Sequence, residues 1–422
     1  MVNFDLKHVG VFRRKDKEHQ YENTKNQETD NNMMDEDEYD ASEFEDDEND
    51  MPLKVKNRRP REDNFTQQRL AAYNPVVTPR TILPLYLLIA AVFVIVGGCT
   101  LSISSKVDEI IIYYQNCTTE APSDGTWSDM SSDHYSYSFK NNNTASVVPQ
   151  WRYINDETDT SEERGTCQIR FDVPYNIPQP VYLSYLIEKF SPNHRRYVLS
   201  FSEAQLRGDA ASYNTVHDNT GINCKPLVRD ENGKIYYPCG LIANSMFNDT
   251  FPMELINVND NSNNYPLTNE KINWHSDRRR YKKTKYNPDE ITPPPYWIKQ
   301  FPDGYNETNV PDIQEWEEFQ NWMRPAAFDK FSKLIRRNGN DTLNAGLYEI
   351  DIGLHWPVAP YNGKKAIYLT HGSNIGGKNP FLGIIYLIGG CICAAMAVTI
   401  LGFWTFFGRK VGDPSTLSWN RE

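Results

Sequence analysis

Two long runs without a charged residue constrain this 422-residue chain more than any other feature. The first run extends from Ile82 to Ile103 and the second from Phe381 to Phe407. About 20 apolar residues cross the hydrocarbon core of a bilayer, so each run is long enough for a transmembrane helix. A buried helix of a soluble core alternates with polar positions, which these runs do not. The sequence therefore predicts a membrane protein with two transmembrane helices, at residues 82–103 and 381–407.

Basic residues beside the first span indicate the orientation of the chain. A basic juxtamembrane segment, residues 61–81, precedes this span, whereas only Lys106 and two acidic residues follow it closely. Positive residues are retained on the cytosolic side, so the N-terminus is predicted to be cytosolic. Two spans return the C-terminal tail, residues 408–422, to the cytosol and place residues 104–380 on the extracytosolic side.

The predicted extracytosolic segment contains five Asn-x-Ser/Thr sequons, the acceptor sequence for N-glycosylation. Their asparagines are Asn116, Asn142, Asn248, Asn306 and Asn340. The site at Asn116 is the weakest, because the potential disulfide partner Cys117 occupies its middle position. A further sequon, at Asn64, lies in the predicted cytosolic part and is expected to remain unmodified. These sites are typical of a eukaryotic secretory glycoprotein.

The seven cysteines divide between the spans and the segment that joins them. Three lie in the spans: Cys99, Cys391 and Cys393. Four lie between the spans, which allows three pairings: Cys117, Cys167, Cys224 and Cys239. An oxidising compartment favours disulfides, and the short loop from Cys224 to Cys239 closes easily, which leaves Cys117 with Cys167. A zinc site is the alternative, but no C-x-x-C motif or paired histidine accompanies these cysteines.

The formal net charge of −12 is concentrated near the N-terminus. Residues 27–50 hold 13 acidic residues and no lysine or arginine, and the rest of the chain is close to neutral. This balance excludes nucleic-acid binding through bulk positive charge. Residues 1–60 are predicted to form a disordered acidic cytosolic tail, which is either a partner-binding segment or a solvated leader.

The segment between the spans is long enough for a core of its own, and its pattern is mainly that of β-strands. Alternating or β-branched residues predict five strands, at Gln168–Val173, Val181–Phe190, Tyr197–Glu203, Tyr348–His355 and Ala366–Thr370. Apolar residues at helical spacing predict an amphipathic helix over Pro311–Asn321. The same spacing recurs after Pro325, at Phe328, Phe331, Leu334 and Ile335, and predicts a second core-facing helix there. The predicted fold is a mainly β, α+β ectodomain with disulfides, attached to two transmembrane helices.

No motif assigns a catalytic residue, a metal ion or a cofactor to this chain. The nearest approach to a phosphate-binding loop extends from Gly372 to Asn379, but Asn379 replaces the Ser or Thr that holds magnesium. Neither span contains an ionisable residue, so neither supplies an ion relay of its own. The pattern favours a binding or accessory protein over an enzyme.

Two regions are candidate contacts for a partner protein. A basic patch suits an acidic partner surface, although a solvated turn is at least as good an explanation. Its members are Arg278, Arg279, Arg280, Lys282, Lys283 and Lys285, of which the three arginines are the candidate contacts. In the second span, Gly389 and Gly390 would let a neighbouring helix approach closely. Ordinary membrane-helix composition is the alternative explanation for these glycines.

Four stretches of the sequence resemble a known family. They are Phe65-Thr-Gln-Gln-Arg-Leu-Ala-Ala followed by Pro75 and Thr78-Pro79, then Tyr236–Thr250, Phe319–Arg324 and Gly372–Gly383. Together they resemble the cell-division-cycle-fifty/ligand-effect-modulator family, the accessory β-subunits of the type-IV P-type ATPases that translocate phospholipids. The resemblance extends from about Asn64 to the end of the second span and is nearest to the fungal ligand-effect-modulator branch.

The resemblance implies a glycosylated β-sandwich ectodomain with the disulfides Cys117–Cys167 and Cys224–Cys239. It implies a non-catalytic subunit that binds the ATPase, accompanies it out of the endoplasmic reticulum and stays with it at the plasma membrane or in Golgi and endosomal membranes. Phospholipids would surround this complex, and no substrate-binding residue is implied. Gln68 and Arg69, in the first stretch, are further candidate contacts with the ATPase.

Two alternatives remain open at this point. The same topology permits a stand-alone receptor or adhesion glycoprotein that binds a ligand through its aromatic-rich ectodomain. A lumenal enzyme would require a buried pair of carboxylates, and burial is not visible in a sequence.

Overall fold

A computed structural model describes residues 65, 68, 78–140, 147–156, 164–260, 263–373 and 376–408. The chain divides into two compact units, residues 1–74 and 75–422, and the second contains both runs predicted as spans. The predictions for the acidic tail, Asn64, Arg69, Asn142 and residues 409–422 lie outside the described residues.

In the described part of the chain, a long helix lies near each end, and the helices between them in sequence are short. In order, the α-helices are α1 (Pro79–Ser105), α2 (Cys117–Glu120), α3 (Arg195–Val198), α4 (Glu203–Leu206), α5 (Tyr213–His217), α6 (Leu241–Asn244), α7 (His275–Arg278), α8 (Glu317–Trp322) and α9 (Phe381–Phe407).

The strands all lie between α1 and α9. They are β1 (Glu109–Tyr113), β2 (Ser128–Asp129), β3 (Tyr135–Ser138), β4 (Gln150–Ile154), β5 (Thr166–Val173), β6 (Val181–Glu188), β7 (Ile235–Tyr236), β8 (Glu254–Asn257), β9 (Tyr265–Pro266), β10 (Ile291–Thr292), β11 (Phe331–Asn338), β12 (Gly346–Gly353) and β13 (Lys364–His371).

The helices α1 and α9 contain the two uncharged runs. α1 begins three residues before the first run, because Pro79 occupies its first turn, where a missing N–H costs nothing. The backbone N–H of Thr78 donates to Thr81 Oγ1 at 3.2 Å and fixes this end. Each helix is 27 residues long, and only 11% of its most apolar 18-residue stretch is buried within the protein. Helices so apolar and so exposed match membrane spans and not the core of a soluble protein.

The residues between the spans form one mainly β unit, here called the inter-span domain. Its first sheet has the strand order β11-β6-β13-β1-β3 and its second the order β2-β4-β5-β12-β8-β9, with a small parallel pair, β10-β7, beside them. Neighbouring strands of the two large sheets are antiparallel throughout. The chain alternates between the sheets, as in a β-sandwich.

The core of the inter-span domain lies between the two large sheets. Ile110, Leu183 and Ile367 from the first sheet join the same buried cluster as Phe171 and Ile350 from the second. Each of these side chains is at most 1% exposed. Burial of such side chains stabilises a domain by about 1.5–3 kcal/mol apiece. The two-layer arrangement and the predicted fold class are confirmed.

Four of the five predicted strands are present with shifted ends. Gln168–Val173 lies within β5, and Ala366–Thr370 lies within β13. β6 ends at Glu188, because Lys189 adopts the left-handed conformation, with φ of 64°. β12 lies two residues before the predicted Tyr348–His355.

The predicted strand at Tyr197–Glu203 is wrong. The segment contains the end of α3, a turn and the start of α4. Local partners satisfy the backbone here: the Ser202 side chain accepts from the Gln205 N–H, and the Ser200 N–H donates to the Tyr197 carbonyl at 3.0 Å. Such local side-chain bonds compete with strand pairing.

The predicted helix around Phe331, Leu334 and Ile335 is also wrong, because these residues belong to β11. A register shift between Leu334 and Arg336 interrupts the two-residue alternation of this strand and produces an apolar spacing that resembles a helix. The fourth residue of the pattern, Phe328, lies before the strand and is exposed.

The predicted helix over Pro311–Asn321 is present only in its second half, as α8. Its first half is a turn. Gln320, in α8, donates Nε2 to the carbonyls of Ile313 and Gln314 in this turn, at 2.9 and 2.8 Å. Ile313 and Phe319 are nevertheless fully buried, as the apolar spacing predicts.

Candidate partner interface

The two long helices pack through small residues spaced seven apart. The buried positions are Ala90, Gly97 and Ser104 on α1 and Gly383, Gly390 and Ala397 on α9. Gly97 meets Gly383 while Ala90 meets Gly390, so the helices are antiparallel. A Cβ added at Gly97 would lie 3.0 Å from the Gly383 carbonyl oxygen, which is tighter than most real Cβ contacts. Small residues allow this close approach, which is a common basis of helix association in membranes.

The predicted interface glycines lie in this internal contact. A Cβ at Gly389 would be 3.0 Å from the Phe93 ring, and one at Gly390 would be 2.9 Å from Val94 Cγ2. The neighbouring helix expected from the sequence is therefore α1 of the same chain. Away from this contact α9 is apolar and exposed. A shallow groove beside the contact is lined by Ile384, Leu387, Ile388, Cys391, Ile392 and Ala395.

Hydrogen bonds fasten the helix pair to the inter-span domain. Ser104 Oγ, near the end of α1, accepts from the backbone N–H of Asn379, just before α9, at 2.9 Å. The backbone carbonyl of Asp108 accepts from Thr370 Oγ1 at 2.7 Å, and its carboxylate accepts from Lys140 N–H at 2.7 Å. Lys378, from the phosphate-loop lookalike, donates Nζ to the Ser138 carbonyl at 3.2 Å. The helix pair and the domain therefore form a continuous structure at this junction.

His371 is the titratable group at the centre of the junction. Its Nδ1 accepts from the backbone N–H of Asp108 at 3.2 Å, and the Asp108 carboxylate lies 3.5 Å away. Burial lowers the pKa of His371, the Asp108 carboxylate acts in the opposite direction, and Lys140 adds to the lowering. The net direction is downward, which agrees with an Nδ1 that already accepts a hydrogen bond.

The basic patch of Arg278, Arg279 and Arg280 is largely engaged within the chain. Arg278 Nη1 pairs with Glu317 Oε1 at 3.0 Å. Arg280 makes a two-pronged contact with the Glu203 carboxylate, in which Nε lies 2.8 Å from Oε2. The side chain of Arg279 is exposed, and its Nη2 donates to His275 Nε2 at 3.0 Å. Of the three arginines, Arg279 is therefore the one most open to a partner.

Gln68, the other described candidate contact, belongs to the first unit of the chain. Its side chain is exposed, and its backbone N–H donates to the Phe65 carbonyl at 3.1 Å. Its φ of 54° places it in the left-handed region.

The four described sequon asparagines in the inter-span domain differ in accessibility. Asn248, Asn306 and Asn340 are exposed. Asn116 is half-buried, and its Nδ2, the atom that would carry a sugar, donates to Glu120 Oε1 at 2.6 Å. Three of the four acceptor asparagines are therefore exposed to solvent, whereas the side chain of the fourth is hydrogen-bonded within the protein.

Both disulfides join the cysteines paired by sequence reasoning. The bridge Cys117–Cys167 lies in the main core and spans 50 residues of sequence. The bridge Cys224–Cys239 spans 15 residues and anchors a smaller cluster with Ala211, Val216 and Val228. The three cysteines of the long helices are free thiols: Cys99, Cys391 and Cys393.

A buried ion pair was not predicted from the sequence. Lys365 Nζ lies 2.9 Å from Asp249 Oδ2, and both side chains are fully buried. The other carboxylate oxygen of Asp249 accepts from the backbone N–H groups of His355 and Trp356, each at 2.7 Å. Tyr114 donates its hydroxyl to Asp249 at 3.0 Å. These bonds connect the residue that follows β1, strand β13 and the segment after β12. Asp249 and Lys365 are far apart in the sequence, so no local pattern predicts their pairing.

No group of three or more His, Cys, Asp or Glu residues that could hold a metal ion occurs in the described ranges. The described residues form a closely packed helix pair with exposed apolar faces, a hydrogen-bonded junction and a disulfide-bonded β-sandwich. Together these features define a two-span membrane protein with a large folded domain between its spans.

Comparison with known proteins identifies the particular class. The chain belongs to the LEM3 (ligand-effect modulator 3) family / CDC50 family, whose model matches residues 100–410. It is 66% identical over 422 residues, 100% of both chains, to the phospholipid-transporting ATPase accessory subunit LEM3 of Saccharomyces cerevisiae. The accessory subunit CRF1 of the same yeast is 40% identical over 86% of this chain and 89% of its own length. Cell cycle control protein 50A of Bos taurus is 33% identical over 82% and 89%. The resemblance drawn from four sequence stretches is confirmed.

Proposed function

We propose that this chain is the non-catalytic accessory subunit of a phospholipid-transporting type-IV P-type ATPase. The observation that carries the proposal is the 66% identity, over 100% of both chains, to a yeast protein named as such a subunit. ATP hydrolysis and lipid transport would belong to the partner. This chain would support its folding, its export from the endoplasmic reticulum and its activity in moving lipid from the outer to the cytosolic leaflet.

The proposed orientation places both termini in the cytosol and the inter-span domain on the extracytosolic side. The basic segment before α1 supports this orientation through the positive-inside rule. Two disulfides in the domain support it as well, because disulfides persist in oxidising compartments. The complex would assemble in the endoplasmic reticulum and operate at the plasma membrane or in Golgi and endosomal membranes.

The geometry favours particular surfaces for the ATPase. Within the membrane, α1 already covers Gly389 and Gly390, so the partner would contact the exposed apolar face of α9 around Ile388 and Ile392. Outside the membrane, Arg279 is the exposed arginine of the basic patch. On the cytosolic side, Gln68 and Arg69 are the proposed contacts. A pair of helices joined rigidly to a β-sandwich would hold the partner at several levels at once.

Native co-purification tests the proposal. The full chain, with a C-terminal tag, is solubilised from its own membranes in mild detergent, and co-eluting proteins are identified by mass. The expected result is a P-type ATPase in one-to-one ratio, together with loss of phospholipid uptake when the chain is deleted. A chain that purifies alone or only with copies of itself, in cells whose lipid uptake survives the deletion, would favour a stand-alone receptor.

The contact at Arg279 is tested within the same experiment. Arg279→Glu is expected to lower the ratio of co-purified ATPase at an unchanged level of the tagged chain. Lys234→Glu, at an exposed lysine in the turn before β7, makes the same charge change outside the patch and is expected to keep the parental ratio. Equal ratios for both variants would remove Arg279 from the interface and leave the accessory function untouched.

A further inference from the structure

A polar cleft opens at one edge of the inter-span domain, beside a sequon. Its volume is about 410 Å³, which is within the usual range of ligand sites. Tyr265 and Tyr348 form its buried floor. Amide and carboxylate side chains form its walls: Gln179, Asn263, Asn264, Asn340, Asp341 and Asn344. Asn340, the acceptor asparagine of a sequon, is thus itself part of the wall.

Hydrogen bonds between three loops fix the shape of the cleft. Asn338, at the end of β11, donates Nδ2 to the Pro266 carbonyl at 2.8 Å and accepts from the backbone N–H of Asn340 at 2.9 Å. Tyr265 donates its hydroxyl to the Asp341 carbonyl at 2.8 Å. Thr342, the hydroxyl residue of the sequon, donates to Gln179 Oε1 at 3.0 Å. The cleft therefore needs no rearrangement to accept an occupant.

Several amides in the cleft walls have hydrogen-bonding capacity to spare. Among the described residues, the side chains of Asn263, Asn340 and Asn344 make no hydrogen bond, and all three are exposed. The Nε2 of Gln179 is also unengaged, since only its Oε1 accepts a bond. An amide offers two donors and an acceptor, which is the mixture that sugar hydroxyl and acetamido groups require. A cleft without cationic side chains, floored by two tyrosines, suits a neutral carbohydrate better than an anion.

We propose that this cleft seats the first sugars of an N-glycan attached to Asn340 of the same chain. The inference goes beyond the accessory function and rests on the extracytosolic placement of the domain. In the attachment, the anomeric carbon of a lipid-diphosphate oligosaccharide bonds to Asn340 Nδ2. The Nδ2 proton is lost, and the lipid diphosphate departs as the leaving group.

Tethering is the reason that the occupant is the chain's own glycan. The cleft is open and its amides are hydrated, so each sugar contact replaces a contact with water and gains little. A free sugar would therefore bind weakly. A sugar bonded to the wall at Asn340 has a local concentration in the millimolar range or above, and weak contacts then suffice for occupancy.

Site-resolved deglycosylation of the native protein tests whether the glycan on Asn340 occupies the cleft. The glycoprotein is treated with an amidase that cleaves at the glycosylated asparagine, in ¹⁸O-labelled water, and each released site is quantified by mass. Asn306 serves as the internal control, because it lies in an exposed turn where its Oδ1 accepts from Thr308 and Asn309. Release at Asn340 is expected to be roughly tenfold slower than at Asn306 in the native protein. After denaturation the two rates should coincide.

A variant of the cleft walls tests whether the cleft, and not another part of the protein, slows glycan release at Asn340. Asn263→Ala combined with Asn344→Ala removes two exposed wall amides and leaves the sequon intact. Release at Asn340 should then approach the rate at Asn306. The variant should also lower the unfolding temperature in the parent but not in the Asn340→Gln background, because the wall amides act only on an attached sugar.

Three outcomes would overturn the inference. One is an unmodified Asn340 in a chain that is glycosylated at Asn306, which would leave the orientation and the accessory function intact. Another is equal native release at the two sites. The third is slow release at Asn340 that persists in the cleft variant, since protection would then come from elsewhere. Absence of glycans from every described sequon would instead contradict the proposed orientation.

Discussion

The helix pair and the inter-span domain differ in what holds each of them together. The contact between α1 and α9 consists of glycines and small residues whose backbones touch, and the remaining helix surface is apolar and exposed. The inter-span domain instead buries a large apolar cluster, an ion pair and two disulfides. Lipid solvates apolar side chains, so the helices gain little by burying them, whereas the domain in water gains much.

This difference determines how each region should respond to substitution. In the domain, the most sensitive positions are buried groups whose partners cannot be replaced by water. In the helix pair, the sensitive positions are those where any added atom separates the backbones.

The buried ion pair should give the largest effect in the domain. Asp249→Asn removes the charge that compensates Lys365 inside the core. Breaking a buried pair by neutralising one partner typically costs about 3–5 kcal/mol, because the other charge is left without compensation. We expect a large fall in unfolding temperature in mild detergent and poor recovery of folded chain.

The double variant Asp249→Asn with Lys365→Met is the matched control, because no unpaired charge remains. It should recover part of the lost stability. If the single and double variants were equally unstable, the hydrogen bonds of Asp249 to β1 and to the segment after β12 would matter more than the charge pair.

The contribution of each disulfide to stability should increase with the length of chain that it closes. Loss of the bridge over 50 residues, Cys117–Cys167, is expected to cost about 4 kcal/mol, and loss of the bridge over 15 residues, Cys224–Cys239, about 3 kcal/mol. Paired Cys→Ser variants, compared by thermal unfolding under identical conditions, measure the difference. A parental unfolding temperature for either variant would show that the bridge does not contribute.

The predictability of the two regions also differs, for physical reasons. Membrane spans follow from composition over about 20 residues, so the sequence located α1 and α9 within three residues. In the domain, strands were found where alternation is regular, as in β5 and β13. The prediction failed at β11, where the register shift between Leu334 and Arg336 breaks the period. It also failed at α3 and α4, where the Ser202 side chain caps α4 by accepting from the Gln205 N–H.

The candidate interface was predictable only in its residue types. Arg278 and Arg280 read as an open basic patch, yet each has a carboxylate partner, Glu317 and Glu203, far away in the sequence. Gly389 and Gly390 correctly indicated a close helix contact, but nothing local specifies that the neighbour is α1. Side-chain pairing across long stretches of chain depends on the fold, and a single sequence does not contain it.

Lys333 allows a pH-dependent test of the domain. It is nearly buried on β11 and donates Nζ to the Asn321 carbonyl at 2.8 Å and to the Arg324 carbonyl, beyond the end of α8. Burial lowers the pKa of Lys333 to about 8, and the Arg324 guanidinium adds to the lowering. The unfolded chain keeps the ordinary pKa of about 10.4, so it binds more protons than the folded chain between these values. Stability from this group therefore rises with pH in that window.

The measurement compares unfolding free energies at pH 8 and pH 9.5. The parent should gain up to about 2 kcal/mol over this interval relative to Lys333→Met, which lacks the titrating group. Lys282→Met, at an exposed lysine, should retain the parental slope. Parallel curves for the parent and Lys333→Met would mean that Lys333 is solvated in the folded protein.

Substitutions in the helix pair should give the smallest change in unfolding temperature. The change should depend strongly on whether the position faces the other helix. A leucine at Gly383 would press its Cβ to 3.0 Å from Leu101 and 3.1 Å from the Gly97 carbonyl, so the helices must separate. At Gly402, on the same helix, an added Cβ meets nothing within 4 Å. Contacts between membrane helices contribute about 1 kcal/mol, so Gly383→Leu should lower the unfolding temperature by roughly 2 °C.

Gly402→Leu should leave the unfolding temperature unchanged, because its side chain extends into lipid or detergent. Both variants add the same side chain to α9 and have the same helix propensity, so the difference between them reports only the contact with α1. Equal shifts would show that the small-residue spacing is a feature of membrane-helix composition. The inter-span domain would then be the part that sets the position of the two helices, through the bonds of Ser104 and Asp108 at the junction.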